Sequence, residues 1–192
     1  SMFAGQFEPA LQAAQALRKT LSGDLLKVER PHMAATLEGY HSTIMHVLVR
    51  FGKWQTILET PLPDDPVLYC VSTAMCHYAR SVAHSALGQI EAATQERDLF
   101  RATWDKVPES RLFFNNNATD ILAIANSMMM GELEYRKNNY DAAFNHLETA
   151  VRLNDNLYYT EPWAWMHPPR HALGALLLEQ GHVKKAEQAY RA

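Results

Sequence analysis

The histidines are the residues of this chain most able to do chemistry, since imidazole binds metal ions and transfers protons near neutral pH. His77 and His84 stand seven residues apart, which on a helix is a rise of about 10.5 Å and too far for one shared ion. His167 and His171 have the i, i+4 spacing of a helical zinc site, but two prolines lie between them and no cysteine follows. The HExxH pattern is absent. We therefore predict that the histidines serve packing or the surface, and that no metal is bound.

The cysteines and paired carboxylates also give no reactive constellation. Cys70 and Cys76 lie six residues apart, a helical rise of about 9 Å, which exceeds the ~7 Å limit between the Cα atoms of a disulfide. We expect two buried free thiols in a reducing compartment, and on a helix His77 points away from Cys76. Asp64 and Asp65 stand between prolines, where the second carboxylate is expected to cap a helix. We predict neither a catalytic residue nor a cofactor-binding one, because phosphate-binding loops and the GxSxG pattern are also absent.

Composition narrows the class of protein further. The 192 residues are 47% hydrophobic and 20% charged, with a formal net charge of -3, which is ordinary for a globular domain or one repeat array. No apolar run reaches the roughly 18 residues of a membrane span, and no secretory signal opens the chain. The densest basic cluster is only the pair Lys184 and Lys185, so we expect no nucleic-acid partner. A cytoplasmic location is predicted.

Five short phrases of one spacing mark where helices are expected to turn. Each has Gly or Asn, a bulky residue two positions later and a small or aliphatic residue three further on. Gly or Asn supplies the left-handed backbone of a tight turn, the bulky side chain plugs the crevice between two helices, and the small one lets the helices approach closely. The phrases are Gly5-x-Phe7-x-x-Ala10, Gly52-x-Trp54-x-x-Ile57, Gly88-x-Ile90-x-x-Ala93, Asn138-x-Tyr140-x-x-Ala143 and Gly181-x-Val183-x-x-Ala186.

These phrases predict an all-α fold, an α-solenoid of antiparallel helical hairpins like the tetratricopeptide-repeat superhelix. Their spacing is longer and less regular than the ~34 residues of that repeat, so we expect longer helices or inserted loops. The chain opens in mid-hairpin and stops inside a second helix, which we interpret as an excised part of a longer array. We predict one domain over residues 3–192: the second helix of a truncated hairpin at 3–30, hairpins at 31–65, 66–108, 117–155 and 168–192, and an aromatic insertion loop at 156–167.

Apolar periodicity predicts the individual helices. No segment alternates with the period of a strand. Proline positions suggest where several helices begin or end. The expected helices run over residues 5–21, from after Pro31 to about Arg50, over 53–60, from Asp65 to about Ala86, over 89–104, 119–137 and 140–153, and from Pro168 with His167 as a possible cap.

The insertion loop contains the residues that we consider most able to bind a partner. Trp163 and Trp165 stand among three prolines, which gives a stiff aromatic segment next to Arg170. Loops held by rigid scaffolds often carry function, and Trp and Arg are favoured anchors of interfaces. The alternative is structural: the two tryptophans seal the crevice that the longer connection opens.

The last third of the chain resembles a widespread, chiefly bacterial and mostly uncharacterised group of tetratricopeptide-repeat proteins. The resemblance extends loosely to residues 49–54 and 77–80, and so covers most of the chain. The group often has proline where Trp163 stands and aromatic residues at Met166 and His167. The residues that carry the resemblance are Glu161, Pro162, Trp165, Pro168, Arg170, Leu173, Gly174, Ala175, Leu177, Leu178, Gly181, Ala186, Glu187, Tyr190 and Arg191.

This resemblance implies a scaffold whose first helices line a concave groove. With the turn residue counted as position fifteen, positions two, five, nine and twelve of each hairpin face that groove. They are Gly39, Ser42, His46 and Val49; Met75, Tyr78, Val82 and Ser85; Ala125, Met128, Glu132 and Tyr135; and Pro168, His171, Ala175 and Leu178. As partner-binding residues we select Tyr78, Met128, Glu132, Tyr135, Trp165, Arg170 and His171.

The predicted function is therefore non-enzymatic binding of a protein or peptide segment. The Lys/Asn/Arg clamp by which chaperone-binding members of the superfamily hold a C-terminal carboxylate is missing here. A mixed groove of aromatic, methionine and a few charged residues suits an amphipathic helix or extended segment better than a highly charged tail. The alternative is a structural spacer or self-assembly segment of a longer protein, which forms an end-to-end homo-oligomer through its truncated ends.

Overall fold

The structure, a computed structural model, describes residues 2–161 and 163–192 and is mostly helical. Ser1 and Pro162, the latter a residue of the phrase that carries the resemblance, lie outside the described residues. Short 3-10 helices cover Met2–Ala4 and Glu38–Ser42. The α-helices are α1 (Phe7–Thr20), α2 (Gly23–Leu26), α3 (Met33–Leu37), α4 (Thr43–Arg50), α5 (Trp54–Glu59), α6 (Cys70–Ala86), α7 (Ile90–Trp104), α8 (Ala118–Arg136), α9 (Tyr140–Asp155), α10 (Pro169–Glu179) and α11 (Val183–Arg191).

The turn residue of every phrase has the left-handed backbone that the sequence predicts. A positive φ is strained for most side chains and is tolerated by Gly and by Asn. Each of these residues stands two positions before the first residue of a helix, so the turn prediction is confirmed. The φ angles are 71° at Gly5, 61° at Gly52, 74° at Gly88, 64° at Asn138 and 77° at Gly181.

Helices joined by these turns pack against each other, and small residues make the close approach possible. Helix α6 packs on α7, α8 on α9, and α10 on α11. A Cβ atom added at Gly131 in α8 would lie 2.7 Å from the side chain of Leu147 in α9. One added at Gly174 in α10 would lie 2.6 Å from the ring of Tyr190 in α11. Neighbouring pairs also touch, because α6 packs on α4 and α8, and α9 packs on α10.

The helix expected between Pro31 and Arg50 is interrupted. The chain forms α3, then the 3-10 helix Glu38–Ser42, and only then α4. At Gly39 the ring of Phe113 comes so close that an added Cβ atom would lie 2.5 Å from it. The helical period alone did not reveal this break, because the aromatic ring that packs here comes from a distant part of the chain.

The prediction that Asp65 begins the next helix is wrong in its position. Its carboxylate accepts hydrogen bonds from the backbone N–H groups of Val67 and Leu68 at 3.1 and 3.0 Å, which caps a turn rather than the helix. Helix α6 begins only at Cys70.

The N-terminus of α6 is instead capped from a distant part of the chain. The Glu38 carboxylate accepts hydrogen bonds from the backbone N–H groups of Val71 and Ser72 at 3.1 and 2.9 Å. Burial of Glu38 raises the pKa of its carboxyl, although these hydrogen bonds oppose the shift. The cap therefore joins the 3-10 helix to α6 across 33 residues of sequence.

A small β-hairpin lies in the segment before α8, where the sequence predicts no strand. Strand β1 (Leu112–Phe113) pairs antiparallel with β2 (Asn116–Asn117). Two residues are too few for an alternating pattern to be recognised in the sequence. The buried Phe113 ring stacks on Tyr40 with centroids 5.2 Å apart, so the hairpin ties the segment between α7 and α8 to the 3-10 helix Glu38–Ser42.

Candidate functional site

One cavity lies where α4, α6, α8 and α10 converge, and we call it the groove cavity. Its volume is about 310 Å³, at the lower end of the range for ligand sites. The helices that line it are the first helices of the predicted hairpins, with smaller contributions from α5, α9 and the segment before α10. The lining residues are Val49, Arg50, Trp54, Tyr78, Val82, Met128, Glu132, Arg136, Leu147, His167, Pro168, His171, Ala172 and Ala175.

The residues assigned to the concave face from the turn positions meet here from separate parts of the chain. Each of the hairpins 31–65, 66–108, 117–155 and 168–192 contributes to the cavity wall. Of the partner-binding candidates, Tyr78, Met128, Glu132 and His171 are among the lining residues. The assigned positions that line the cavity are Val49, Tyr78, Val82, Met128, Glu132, Pro168, His171 and Ala175.

Charge and exposure differ along this wall. Tyr78 is 1% exposed and forms the floor, and burial raises the pKa of its hydroxyl. Glu132 accepts a hydrogen bond from Nε of Arg136 at 2.8 Å, so a neutralised ion pair stands on α8. His171 is exposed on α10. The groove cavity thus combines an aromatic floor with a polar wall.

Other candidates are placed elsewhere. Tyr135 is 4% exposed, and its hydroxyl accepts a hydrogen bond from Nε2 of Gln180 at 2.8 Å, away from the cavity. Arg170 forms a bidentate ion pair with Asp155, with N···O distances of 2.6 and 2.7 Å. Since these groups already have partners within the protein, the structure gives them a part in holding helices together.

The segment 163–168, which we call the strap, packs against α4 and α6 beside the groove cavity. Trp165 is 1% exposed, and its ring meets those of His46 and Tyr78 edge to face, with centroids 4.8 and 5.5 Å away. Trp165 therefore fills the crevice, which is half of what the structural alternative expects, since that alternative buries both tryptophans. Trp163 instead stays 52% exposed and touches Phe3 with centroids 5.3 Å apart.

The contact between strap and helices leaves polar atoms without partners. His46 is fully buried, and His167, on the strap, is 8% exposed with its ring centroid 5.2 Å from that of His46. Both ring nitrogens of His46, Nε2 of His167 and Nε1 of Trp165 have no hydrogen-bond partner among the described protein atoms. Burial lowers the pKa of His167 to about 4 and that of His46 well below its usual value, so both rings are neutral at pH 7.

A second cavity, the aromatic cleft, lies on the other side of the strap. Its volume is about 460 Å³. Tyr158, Tyr159 and Trp163 are 73%, 75% and 52% exposed at its rim. Pro168 belongs to both cavities. The remaining lining residues are Asn154, Asp155, Leu157, Thr160, Ala164, Trp165, Arg170 and Ala192.

His77 and the two cysteines, which were considered for chemistry, are all buried. Nδ1 of His77 in α6 lies 2.6 Å from a Glu96 carboxylate oxygen in α7. Cys70 and Cys76 are free and buried, and burial raises the pKa of the Cys76 thiol to about 11. Within residues 2–161 and 163–192, no group of three or more His, Cys, Asp or Glu side chains could hold a metal ion. No helix in those ranges is long and apolar enough to cross a membrane.

The pairing of His46 with the strap is the feature that sequence reasoning missed. His46 was assigned to the concave face and Trp165 to a candidate binding loop, but nothing in their spacing predicts a contact across more than a hundred residues. The sequence also does not predict that Trp165 is buried while Trp163 is half exposed. The only sequence signal for this contact was an aromatic insertion in a chain whose predicted groove also contains aromatic residues.

Comparisons with known proteins give no relative from which a function could be transferred. No family model matches the chain, and neither a curated protein nor a solved structure shows a significant match. The resemblance to tetratricopeptide-repeat proteins therefore remains a prediction that rests on the sequence phrases.

Proposed function

We propose that this protein is a non-enzymatic interaction scaffold that binds a protein or peptide segment in the groove formed by α4, α6, α8 and α10. One observation carries the proposal. Half of the positions that the tetratricopeptide-repeat resemblance assigns to a concave face, counted from the turn residues of four separate hairpins, line a single cavity. In a solenoid this convergence is expected, because the first helices of stacked hairpins share one face.

The architecture that we propose is a short α-solenoid like that of tetratricopeptide repeats. The left-handed turns and the packing of successive helix pairs support it. The two buried free thiols of α6 support a reducing, cytoplasmic setting.

The chemistry of the wall indicates what kind of segment fits. Val82, Met128 and Ala175 offer apolar surface, and methionine adapts its shape to different partners. The Glu132–Arg136 ion pair and the exposed His171 lie at the same cavity and can orient a polar backbone. A volume of about 310 Å³ accommodates one or two side chains, so the partner is an extended or helical segment that inserts an apolar anchor.

A peptide library displayed on phage and selected against the full chain tests this proposal. Selected peptides are then measured by fluorescence anisotropy against the wild type, Glu132→Lys and His171→Ala. We expect at least a tenfold loss of affinity in both variants, since each alters a residue of the cavity wall.

The matched control is Glu148→Lys, which makes the same charge reversal outside the groove cavity. Glu148 is exposed on α9. It should bind the selected peptides as the wild type does. Peptides that bind the wild type and the groove variants equally would contradict the groove assignment.

A structural spacer that assembles through its ends is the second candidate. Leu178, Val183 and Tyr190 are 53%, 60% and 51% exposed on α10 and α11, an apolar surface of the kind that stacks on a neighbour. Sedimentation equilibrium of the chain between low and high micromolar concentration distinguishes the two. Association that Val183→Glu abolishes would favour the spacer, and a monomer at all concentrations would remove its support.

A further inference from the structure

The strap occupies the surface that the proposed function assigns to a partner. Trp165 packs on His46 and Tyr78, which are both concave-face positions, and His167 and Pro168 line the groove cavity itself. The chain therefore places a segment of its own, with a tryptophan as its anchor, where an external segment would bind.

This contact is well packed but poorly satisfied in its hydrogen bonding. Four buried nitrogen atoms, on His46, His167 and Trp165, have no partner among the described protein atoms. A buried polar group without a partner is unfavourable relative to the same group in water, so each one lowers the free energy gained when the strap docks.

The strap is also held at points outside its docked part. Asn116 donates a hydrogen bond to the backbone carbonyl of Tyr158 at 3.2 Å and accepts one from its N–H at 2.8 Å. On the other side, the Arg170–Asp155 ion pair joins the start of α10 to the end of α9. Because these contacts hold both ends, the residues between them can leave the inner face while α9 and α10 stay in place.

We propose that the strap is an internal ligand, and that the partner of the groove is an extended segment with a tryptophan anchor that displaces it. The inference rests on the proposed function and names the chemistry of its partner. When the strap leaves, its own tryptophan and imidazole leave the pocket beside His46 and Tyr78. The incoming indole fills the same space, and a polar group beside it can bond to the ring nitrogens of His46, which the strap leaves unpartnered.

The first test measures whether the strap opens while the core stays folded. Ala164 is 2% exposed on the strap, whereas Cys70 and Cys76 are buried in α6 and serve as internal references. In the full-length Ala164→Cys variant, a thiol reagent at pH 7.5 should label the introduced thiol at least a hundredfold faster than Cys76, with the sites resolved by mass spectrometry. Equal labelling rates would mean that the strap opens only when the core unfolds, and the inference would be overturned.

The second test offers the strap in trans. In a full-length variant whose residues 163–167 are replaced by Gly-Ser-Gly-Ser-Gly, a dye-labelled peptide of residues 158–170 should bind, as measured by anisotropy. Trp165→Ala in the peptide should weaken binding at least thirtyfold, whereas Trp163→Ala, which alters the half-exposed ring, should change it less than threefold. Absence of binding by a folded variant, or equal loss for both peptides, overturns the inference.

These results are separable from those of the proposed function. If the wild type binds library peptides in a way that depends on Glu132 and His171, but these peptides lack an aromatic anchor and do not speed labelling at position 164, the groove assignment stands and the internal-ligand inference falls. If the replacement variant does not fold, the thiol-labelling measurement on the otherwise intact chain still decides.

Discussion

The hairpin formed by α8 and α9 and the strap that follows it are neighbours in sequence but are held by different kinds of contact. The hairpin contacts are local: Asn138 turns the chain at φ 64°, and Gly131 admits Leu147 of the facing helix. The strap contacts are long-range: Trp165 reaches His46 and Tyr78 on α4 and α6. The backbone groups within α8 and α9 pair with each other as in any helix, whereas side-chain nitrogens at the strap contact are buried and unpartnered.

This difference shows how one fold can hold a rigid frame and a weaker, displaceable element side by side. A helical hairpin is stabilised by backbone hydrogen bonds and interdigitating apolar residues, so its opening exposes both at once. Burial of the Trp165 ring stabilises the docked strap, whereas the buried polar groups without partners destabilise it.

Trp165→Ala should have the largest effect, because it removes the anchor on which the docked strap depends. We expect the free energy of unfolding to fall by about 4 kcal/mol, while the helical circular dichroism of the folded protein is retained. Urea denaturation followed at 222 nm measures it. Trp163→Ala is the matched control and should change stability by less than about 1 kcal/mol, since that ring is half exposed. Equal effects for both tryptophans would contradict the contrast.

Gly131→Val should destabilise the regular hairpin by about 3 kcal/mol. A Cβ at this position would meet the Leu147 side chain at 2.7 Å, and a branched residue adds two methyl groups to the same contact. Gly131→Ala should lie between the wild type and the valine variant in thermal denaturation. A valine variant as stable as the wild type would show that the helices do not approach as closely as described.

Acidification should weaken the strap selectively. The pKa of His167 is about 4 when it is buried and returns to near 6.5 when the strap opens, so the open form binds a proton that the docked form excludes. Docking is therefore strongest above pH 6.5 and weakens as the pH falls from 6.5 towards 4. His167 alone accounts for about 2 kcal/mol between pH 7 and 5, and His46 acts in the same direction.

Two titratable groups on the packed helices act on His167: Arg50 on α4 and His171 on α10. Both lower the pKa of His167 further. Labelling of the thiol in the Ala164→Cys variant, corrected for the intrinsic pH dependence of the reagent, measures the opening of the strap at each pH. His46→Phe should reduce the acid sensitivity without loss of stability at pH 7, because it replaces two unpartnered nitrogens by carbon in a similar shape. A labelling ratio independent of pH would contradict the assignment.

Asn138→Ala should have the smallest effect, a loss of about 1 kcal/mol, because alanine is strained at φ 64°. Asn138→Gly is the control, since both substitutions remove the hydrogen bond from the hydroxyl of Tyr140 and only the alanine is strained. The glycine variant should be at least as stable as the alanine variant in thermal melts. The reverse order would place the turn outside the left-handed region.

Much of the helical architecture was accessible from the sequence, and the failures share one cause. The bounds of α7, α8 and α9 follow the predicted helices closely, because their apolar periodicity and turn residues are local signals. The break at Glu38–Ser42, the late start of α6 and the β-hairpin were not predicted. Each depends on a distant contact: Phe113 against Gly39, or the Glu38 carboxylate at the N-terminus of α6.

The candidate site residues also fall into two groups: those that their register along a helix placed correctly, and those whose exposure depends on distant contacts. Tyr78, Met128, Glu132 and His171 were selected from their register relative to the turns, and they line one cavity. Tyr135 has the same register, but Gln180 and its neighbouring rings enclose it. Register determines which face of a helix a residue occupies, but not whether another helix covers that face.

By itself, the sequence determined the turns, the helix faces and the mostly helical class, because steric limits on φ and the helical period act within a few residues. Only the tertiary structure decided that Trp165 is buried while Trp163 is exposed, and that Arg170 is already paired with Asp155. It also brought His46 and His167 together without hydrogen-bond partners. The physical reason is that burial and desolvation depend on which distant segments meet, and spacing along the chain contains no measure of that.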